Sequence, residues 1–221
     1  MPSTRTVERP SDALRVANRY LRYERPLSAL LTVFVAAAVL LTYAATSLAV
    51  GVVVGAVLLV AVRAPIIQSR GLVRLETDDD AGAVVDSFAG PTPPVLVFQW
   101  GIADEVTTDG DGATYHISYL FGRRSVAMTV ESRVETRADG ERVVEITAAV
   151  DDRPWATYTA TIAGGEGRTV VEYEYAADRR FGLRRLPQRI VARRYRDEAL
   201  GVQGYAVVER DERYGVRDAS A

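Results

Sequence analysis

Few side chains in this sequence can carry chemistry near neutral pH. The chain contains a single histidine, His116, and no cysteine, so thiol catalysis, disulfides and a histidine-based zinc site are excluded. The alternation of apolar and polar residues places His116 on the polar face of a strand. We therefore predict a solvent-facing histidine instead of a catalytic base. No arrangement of serine, histidine and acid predicts a triad, and no catalytic residue, metal site or cofactor is assigned.

Tyrosine is the more informative residue type. Several of the 11 tyrosines fall on the apolar faces of predicted strands, where hydroxyl groups could orient a small molecule in an apolar cavity. The alternative is that the rings only fill the core. The candidate ligand-lining residues are Tyr115, Tyr119, Met128, Tyr158, Tyr173, Tyr175 and Tyr195.

Charged residues are unevenly distributed along the chain. All 27 basic residues are arginines, and eight of them fall within residues 179–196, a segment without an acid. Residues 70–178 hold nine arginines against 20 acidic residues, a net charge of −11. An acidic composition without lysine is similar to that of proteins from salt-loving organisms. Since the acidic segment would repel phosphate and no recognition motif accompanies the arginines, we expect no nucleic-acid partner.

Residues 27–62 form a run of 36 residues without a charge. As one helix the run would be about 54 Å long, against a hydrocarbon core of roughly 30 Å. It therefore predicts a transmembrane hairpin with helices at about 27–43 and 47–63, the alternative being a buried core hairpin. Arginines flank the run on both sides and its turn has none, which predicts a cell-membrane protein with both termini cytoplasmic.

Two shorter features accompany this predicted hairpin. Gly51 and Gly55 form a GxxxG pattern, which is typical of closely packed helices. The pattern would pack the second helix on the first, or on another protomer of a homo-oligomer. Residues 1–26 are expected to form either an interfacial helix ended by Pro26 or a disordered polar tail.

From residue 70 the pattern changes to alternation. Strands of about ten residues, separated by clusters of turn residues, predict an antiparallel meander. Residues 179–196, the arginine block, open a segment in which apolar residues recur at spacings of three and four. This spacing predicts a helix to about residue 212 that covers the apolar face of the sheet. The predicted fold class is α+β. The transmembrane hairpin is followed by a linker at 64–69, a domain at 70–212 with a curved sheet of about 6–8 strands, and a tail at 213–221.

The order of these elements resembles the helix-grip fold of the SRPBCC superfamily, which includes START domains and polyketide cyclases. The resemblance covers residues 70–212 and rests on the order and length of elements; Gly201 and Gly204 depart from it because they would kink or shorten the helix. Such proteins usually hold an apolar ligand between the sheet and the long helix.

This resemblance implies a membrane-anchored, cytoplasm-facing module that binds a hydrophobic small molecule or a lipid. The alternative is a non-catalytic structural or interaction protein of the membrane with a filled core. An enzymatic role has poor support because the predicted inner faces offer only tyrosines.

The arginine block is expected to lie on the outer face of the C-terminal helix. Arg189, Arg193 and Arg196 follow one another at helical spacing, as a solvated stripe would. The candidates for contact with anionic membrane lipids are Arg184, Arg185 and Arg189.

Overall fold

The structure, a computed structural model, describes residues 5–64, 67–109, 112–119, 123–138, 140–165, 167–178, 182 and 186–216. Its α-helices are α1 (Ser11–Ala45), α2 (Leu48–Arg63), α3 (Ala81–Ala89), α4 (Val97–Ile102) and α5 (Leu186–Gly201). Its strands are β1 (Arg5–Thr6), β2 (Ile67–Thr77), β3 (Glu105–Thr108), β4 (Gly112–Tyr119), β5 (Arg124–Thr136), β6 (Arg142–Val150), β7 (Arg153–Gly164), β8 (Thr169–Ala177) and β9 (Ala206–Val216). The α+β class is therefore confirmed.

The described strands form an antiparallel sheet with the order β1-β3-β4-β5-β6-β7-β8-β2-β9. From β3 to β8, strands that follow one another in sequence are neighbours in the sheet, which is the predicted meander. Strand β2 interrupts this order because it pairs with β8 on one side and with β9 on the other. The first long strand of the domain thus lies beside the last.

A two-residue turn fixes the register between β6 and β7. Asp151 and Asp152 both have a positive φ, 50° and 59°, a conformation that aspartate tolerates better than most residues. Two-residue turns of this kind match the twist of the strands that they join. Because register decides which face of a strand is inward, this turn also decides the side on which Tyr158 lies.

Helices cover one face of the sheet. Helix α3 packs directly on β6 and β7, and its first turn is capped by the Asp80 carboxylate, which accepts hydrogen bonds from the backbone N–H groups of Gly82 and Ala83 at 2.8 and 3.1 Å. Helix α5 packs mainly against α1 and β9. The two helices therefore cover different parts of the sheet, α3 its middle and α5 the end formed by β9.

The N-terminal segment belongs to this domain. Strand β1 pairs with β3 and forms one edge of the sheet. The Arg9 guanidinium donates hydrogen bonds to the Trp100 and Ala103 carbonyl oxygens at the end of α4. On α1, Ala13, Val16 and Ala17 are fully buried. The segment therefore forms neither a disordered tail nor a separate interfacial helix.

Helix α1 is closely packed on α4. A Cβ atom added to Gly101 would lie 2.8 Å from the Ala17 Cβ atom, so only glycine allows this approach. The helix then continues through Pro26 to Ala45, and the predicted end at Pro26 is wrong. The residue before Pro26 is already inside a helix that packing holds in place, which outweighs the tendency of proline to end helices.

The predicted transmembrane hairpin is also wrong. Among the described residues, no helix combines the length and the apolar character needed to cross a membrane. Helix α2 has 16 residues and is about 24 Å long, shorter than a hydrocarbon core of roughly 30 Å. Helix α1 is longer, but its first half carries several arginines and packs on the domain. The predicted cell-membrane localisation with cytoplasmic termini depended on this hairpin and is therefore wrong as well.

The second half of α1 packs against α2. A Cβ atom on Gly51 would lie 3.1 Å from the Tyr43 Cβ atom, and one on Gly55 would lie 3.4 Å from a methyl group of Val39. The two glycines of the GxxxG pattern thus face the preceding helix of the same chain.

The C-terminal helix is shorter than predicted. Helix α5 ends at Gly201, a turn follows in which Gly204 has a φ of 88°, and residues 206–216 form β9. The predicted continuation of the helix to residue 212 is wrong because the two glycines end it and reverse the chain. This correction matters for function, since β9 brings charged side chains to the covered face of the sheet.

Candidate functional site

Three tyrosines form one group on the covered face of the sheet, called the tyrosine cluster: Tyr158, Tyr173 and Tyr175. Tyr158 and Tyr175 are directly opposite each other on β7 and β8, and their rings stack with centroids 6.0 Å apart. Tyr173 lies two residues before Tyr175 on the same face, with a ring-centroid distance of 6.5 Å. All three are buried. Their grouping follows from the two-residue period of strands, which sends alternate side chains to one face.

Gly71 makes room for this cluster. It pairs with Tyr175 across β2 and β8, and a Cβ atom at Gly71 would lie 2.6 Å from the Tyr175 ring. Any other residue would displace the ring. Beside it, the buried Ser69 hydroxyl lies 3.4 Å from the Tyr175 hydroxyl oxygen.

Four charged residues lie next to the tyrosines and are called the charged cluster: Arg196, Asp197, Arg210 and Glu212. Register places two of them in line with the tyrosines on the other side of β2, because Val73 pairs with both Tyr173 and Arg210, and Gly71 with both Tyr175 and Glu212. The side chains of Arg210 and Glu212 are 4% and 5% exposed and form an ion pair at 2.6 Å. Arg210 also pairs with Asp197 of α5.

Arg196 is the member of the charged cluster that extends from α5 toward the sheet. It lies four residues after the buried Ala192 and three before the buried Ala199, on the stripe of the helix that faces inward. Its nearest described carboxylate is Glu212, at 3.7 Å. Burial lowers the pKa of the Arg196 guanidinium, but interactions with the three tyrosines and Glu212 outweigh this effect and raise the pKa. The guanidinium therefore stays charged.

The predicted solvated stripe of arginines is only partly correct. Arg193 is exposed, as expected, whereas the Arg196 side chain is 30% exposed and faces the sheet. The expected position of Arg196 is wrong because the buried stripe of α5 runs through Ala192 and Ala199, not only through the larger apolar residues. The side chain of Arg189, and Arg184 and Arg185, lie outside the residues that the structure describes.

The Tyr173 hydroxyl is expected to make the protein less stable at high pH. Burial raises its pKa from 10.0 to about 12, although Arg196 and Arg210 act in the opposite direction. Above pH 10 the unfolded chain loses this proton and the folded chain keeps it, so stability that is fully present below pH 10 is lost as the pH rises through 12. The loss should be roughly 2–3 kcal/mol.

Chemical denaturation of the wild type and of Tyr173→Phe at pH 8 to 12 checks this prediction. The variant should match the wild type within about 1 kcal/mol at pH 8 and should lose less stability at pH 12. If the free energy of unfolding fell equally with pH in both proteins, the loss could not be assigned to the Tyr173 hydroxyl.

Other predicted lining residues lie elsewhere. The Tyr115 hydroxyl donates a hydrogen bond to the Pro91 carbonyl oxygen at 2.9 Å, and Met128 is opposite Tyr115 on β5. Tyr195 contacts Tyr20 and Tyr23 of α1, with ring centroids 6.0 Å apart in both pairs. The Tyr119 side chain lies outside the described part of the structure. His116 is exposed, which confirms the predicted solvent-facing histidine.

Sequence patterns did not reveal Arg210 and Glu212 because of a bulge in β9. Leu75 pairs with Val207 and Arg74 with Glu209, so one extra residue interrupts the ladder. Val207 and Arg210 consequently face the same side at a spacing of three, which is a helical spacing. The available sequence signal was the pair Gly201 and Gly204, and the structure gives Gly204 a positive φ that ends the helix.

Comparisons with known proteins found similarity only in structure. No family model matches the chain, and no curated protein matches it. A protein from Rhizobium loti is 19% identical, covers 62% of this chain and 98% of its own, and gives a TM-score of 0.39. A START superfamily protein from Mycobacterium smegmatis is 11% identical, with coverage of 62% and 97% and a TM-score of 0.37. A conserved protein from Geobacillus kaustophilus is 9% identical, with coverage of 63% and 99% and a TM-score of 0.37.

These matches are too distant to carry an argument about ligand or activity. The class is shown by the order of elements in the chain itself: a strand, two short helices, a meander that returns to that strand, and a helix packed at the C-terminal end of the domain. This order agrees with the predicted α+β arrangement of a meander sheet covered by helices, without the predicted membrane anchor. Strand β9 and the docked first half of α1 were not part of the predicted arrangement.

Proposed function

We propose that this domain binds a hydrophobic small molecule, such as a single-chain lipid, between the sheet and α5. The observation that carries the proposal is the gathering of three tyrosines and one arginine at one end of an interior that is otherwise mostly apolar. Small-molecule sites are commonly built this way, from apolar walls and a few polar groups that fix orientation.

A row of small side chains lies beside the tyrosine cluster. Ala148 pairs with Ala156, and Ala156 pairs with Ala177. This row is the next one along the sheet from Tyr158 and Tyr175, which is where a ligand oriented by the hydroxyls would lie. Alanine leaves more space above a sheet than the valine and isoleucine that occupy the corresponding positions nearer α3.

The proposal is tested on the full-length protein as purified. Native mass spectrometry is expected to show a bound molecule that organic solvent extracts. Ala156→Leu adds volume at the centre of the alanine row and should abolish that molecule. If the space exists, the variant should lose less stability than the 1–3 kcal/mol that overpacking usually costs.

Val57→Ala is the matched control, because Val57 is exposed on α2, a helix that packs on α1. A molecule retained by Ala156→Leu but lost from Val57→Ala would place the binding on the α1–α2 hairpin and refute the proposal. No extractable molecule in any sample, with strong destabilisation by Ala156→Leu, would favour a filled core and a structural or interaction role instead.

A further inference from the structure

We propose that the polar end of the ligand is a carboxylate, bound by the Arg196 guanidinium and the Tyr173 hydroxyl. The ligand class is then an apolar carboxylic acid. This inference rests on the proposed function and names the chemistry of that same site.

The Arg196 guanidinium has N–H donors that no described residue accepts from. In the part of the chain that the structure describes, its guanidinium makes no hydrogen bond, and its one ion pair, with Glu212, is long at 3.7 Å. A guanidinium carries five N–H donors in a planar fork that matches a carboxylate. Because the side chain is largely withdrawn from water, a charged acceptor would gain more from it than at an exposed site.

The other arginine of the charged cluster is already committed. Arg210 pairs with both Asp197 and Glu212 at short distance, so those two carboxylates are held mainly by Arg210. The four formal charges of the cluster cancel, and Arg196 is the cation with the weakest pairing. A ligand with one negative charge fits this balance, whereas a doubly charged phosphate would lack a second cation.

Tyr173 supplies the second donor. Its side chain is 2% exposed, yet its hydroxyl makes no hydrogen bond with any described residue. A tyrosine hydroxyl without a protein partner remains available to donate to a bound group. A tyrosine phenol is protonated at neutral pH, and burial raises the Tyr173 pKa further, so this hydroxyl can donate to an anion. The two donors lie in the same region of the covered face, because Arg196 and Arg210 both pair with Glu212 and Arg210 lies in one row with Tyr173 across β2.

The two donors also give the ligand a direction. Tyr173 and Arg210 lie in one row across the sheet, Tyr175 and Glu212 in the next, and Ala156 and Ala177 in the row after that. A carboxylate at Tyr173 therefore leaves the apolar body to extend over Tyr175 toward the alanines, away from the charged cluster.

Two probes with the same chain separate the carboxylate from the apolar body. Dodecanoic acid and dodecan-1-ol are titrated into the full-length protein at neutral pH by calorimetry, after removal of any bound molecule. The acid should bind at least tenfold more tightly than the alcohol, because a hydrogen bond to a charged group is stronger than a neutral one. This comparison needs no variant.

Variants then locate the carboxylate. Arg196→Gln should weaken binding of the acid 10- to 100-fold and change binding of the alcohol less than threefold. Arg193→Gln is the control, since Arg193 lies on the same helix but is exposed; it should change neither. Should Arg196→Gln fail to fold, Tyr173→Phe removes only one oxygen atom and should weaken binding of the acid alone, by three- to tenfold.

The outcomes distinguish this inference from the proposed function. If both probes bind equally, or if Arg196→Gln and Tyr173→Phe leave the preference for the acid intact, the carboxylate assignment is wrong while the apolar site stands. If neither probe binds, the proposed function fails together with it.

Discussion

Replacing Glu212 with leucine is expected to lower the free energy of unfolding by about 3–5 kcal/mol, the usual cost of removing one partner from a buried ion pair. The Arg210 side chain is 4% exposed and would keep only Asp197, which lies nearer the surface with 41% of its side chain exposed. Arg196 would lose its described carboxylate as well. Denaturant unfolding at neutral pH measures the change.

Two further variants make the result specific to the ion pair. Arg210→Met combined with Glu212→Leu should recover most of the loss, because an apolar pair of similar volume leaves no buried charge without a partner. Glu209→Gln, at an exposed position of the same strand, should change stability by less than about 0.5 kcal/mol. A loss below 1 kcal/mol for Glu212→Leu would show that water reaches the charged cluster.

Removing residues 1–23 is expected to destabilise the domain by more than about 3 kcal/mol. The truncation deletes β1, the Arg9 hydrogen bonds to α4 and the buried Ala13, Val16 and Ala17. Burying side chains of that size contributes about 0.8 kcal/mol for each methylene group, before the cost of the surface left open on α4 and α5.

Thermal unfolding of the truncated chain beside the full-length protein checks this expectation. Arg15→Gln serves as the control, since Arg15 is exposed on the opposite face of α1 and its replacement should leave the midpoint within a few degrees. Equal midpoints for the truncated and full-length chains would mean that the N-terminal segment contacts the domain without stabilising it.

Periodicity predicted the sheet well because each strand keeps one apolar face. The predicted inner positions of β6 and β7, such as Ile146, Ala148 and Tyr158, are buried in the structure, which confirms the faces that alternation assigned. The pattern also placed Tyr173 and Tyr175 on the covered side, so the tyrosine half of the candidate site was visible in the sequence.

The remaining half of the site could not be predicted from local patterns. Arg196 looks like a surface residue because small alanines, which carry little apolar signal, mark the inner stripe of α5. Glu212 and Arg210 face inward only through pairing with β2, a partner more than a hundred positions earlier in the chain. Membrane insertion was predicted from the apolar run and its flanking arginines. The structure keeps the predicted division of the run into two helices, but the first of them starts at Ser11, inside the domain.

The position of β2 has a consequence for how the chain becomes ordered. During synthesis β2 is made long before either of the strands with which it pairs. Thr77 pairs with Thr169, and Gly71 pairs with both Tyr175 and Glu212, which are all about ninety or more positions later in the chain. Both of its hydrogen-bonding edges stay open during that interval, and open edges recruit other chains. The tyrosine cluster can form locally between β7 and β8, whereas Arg210 and Glu212 are brought beside it only when the distant pairings of β2 are made.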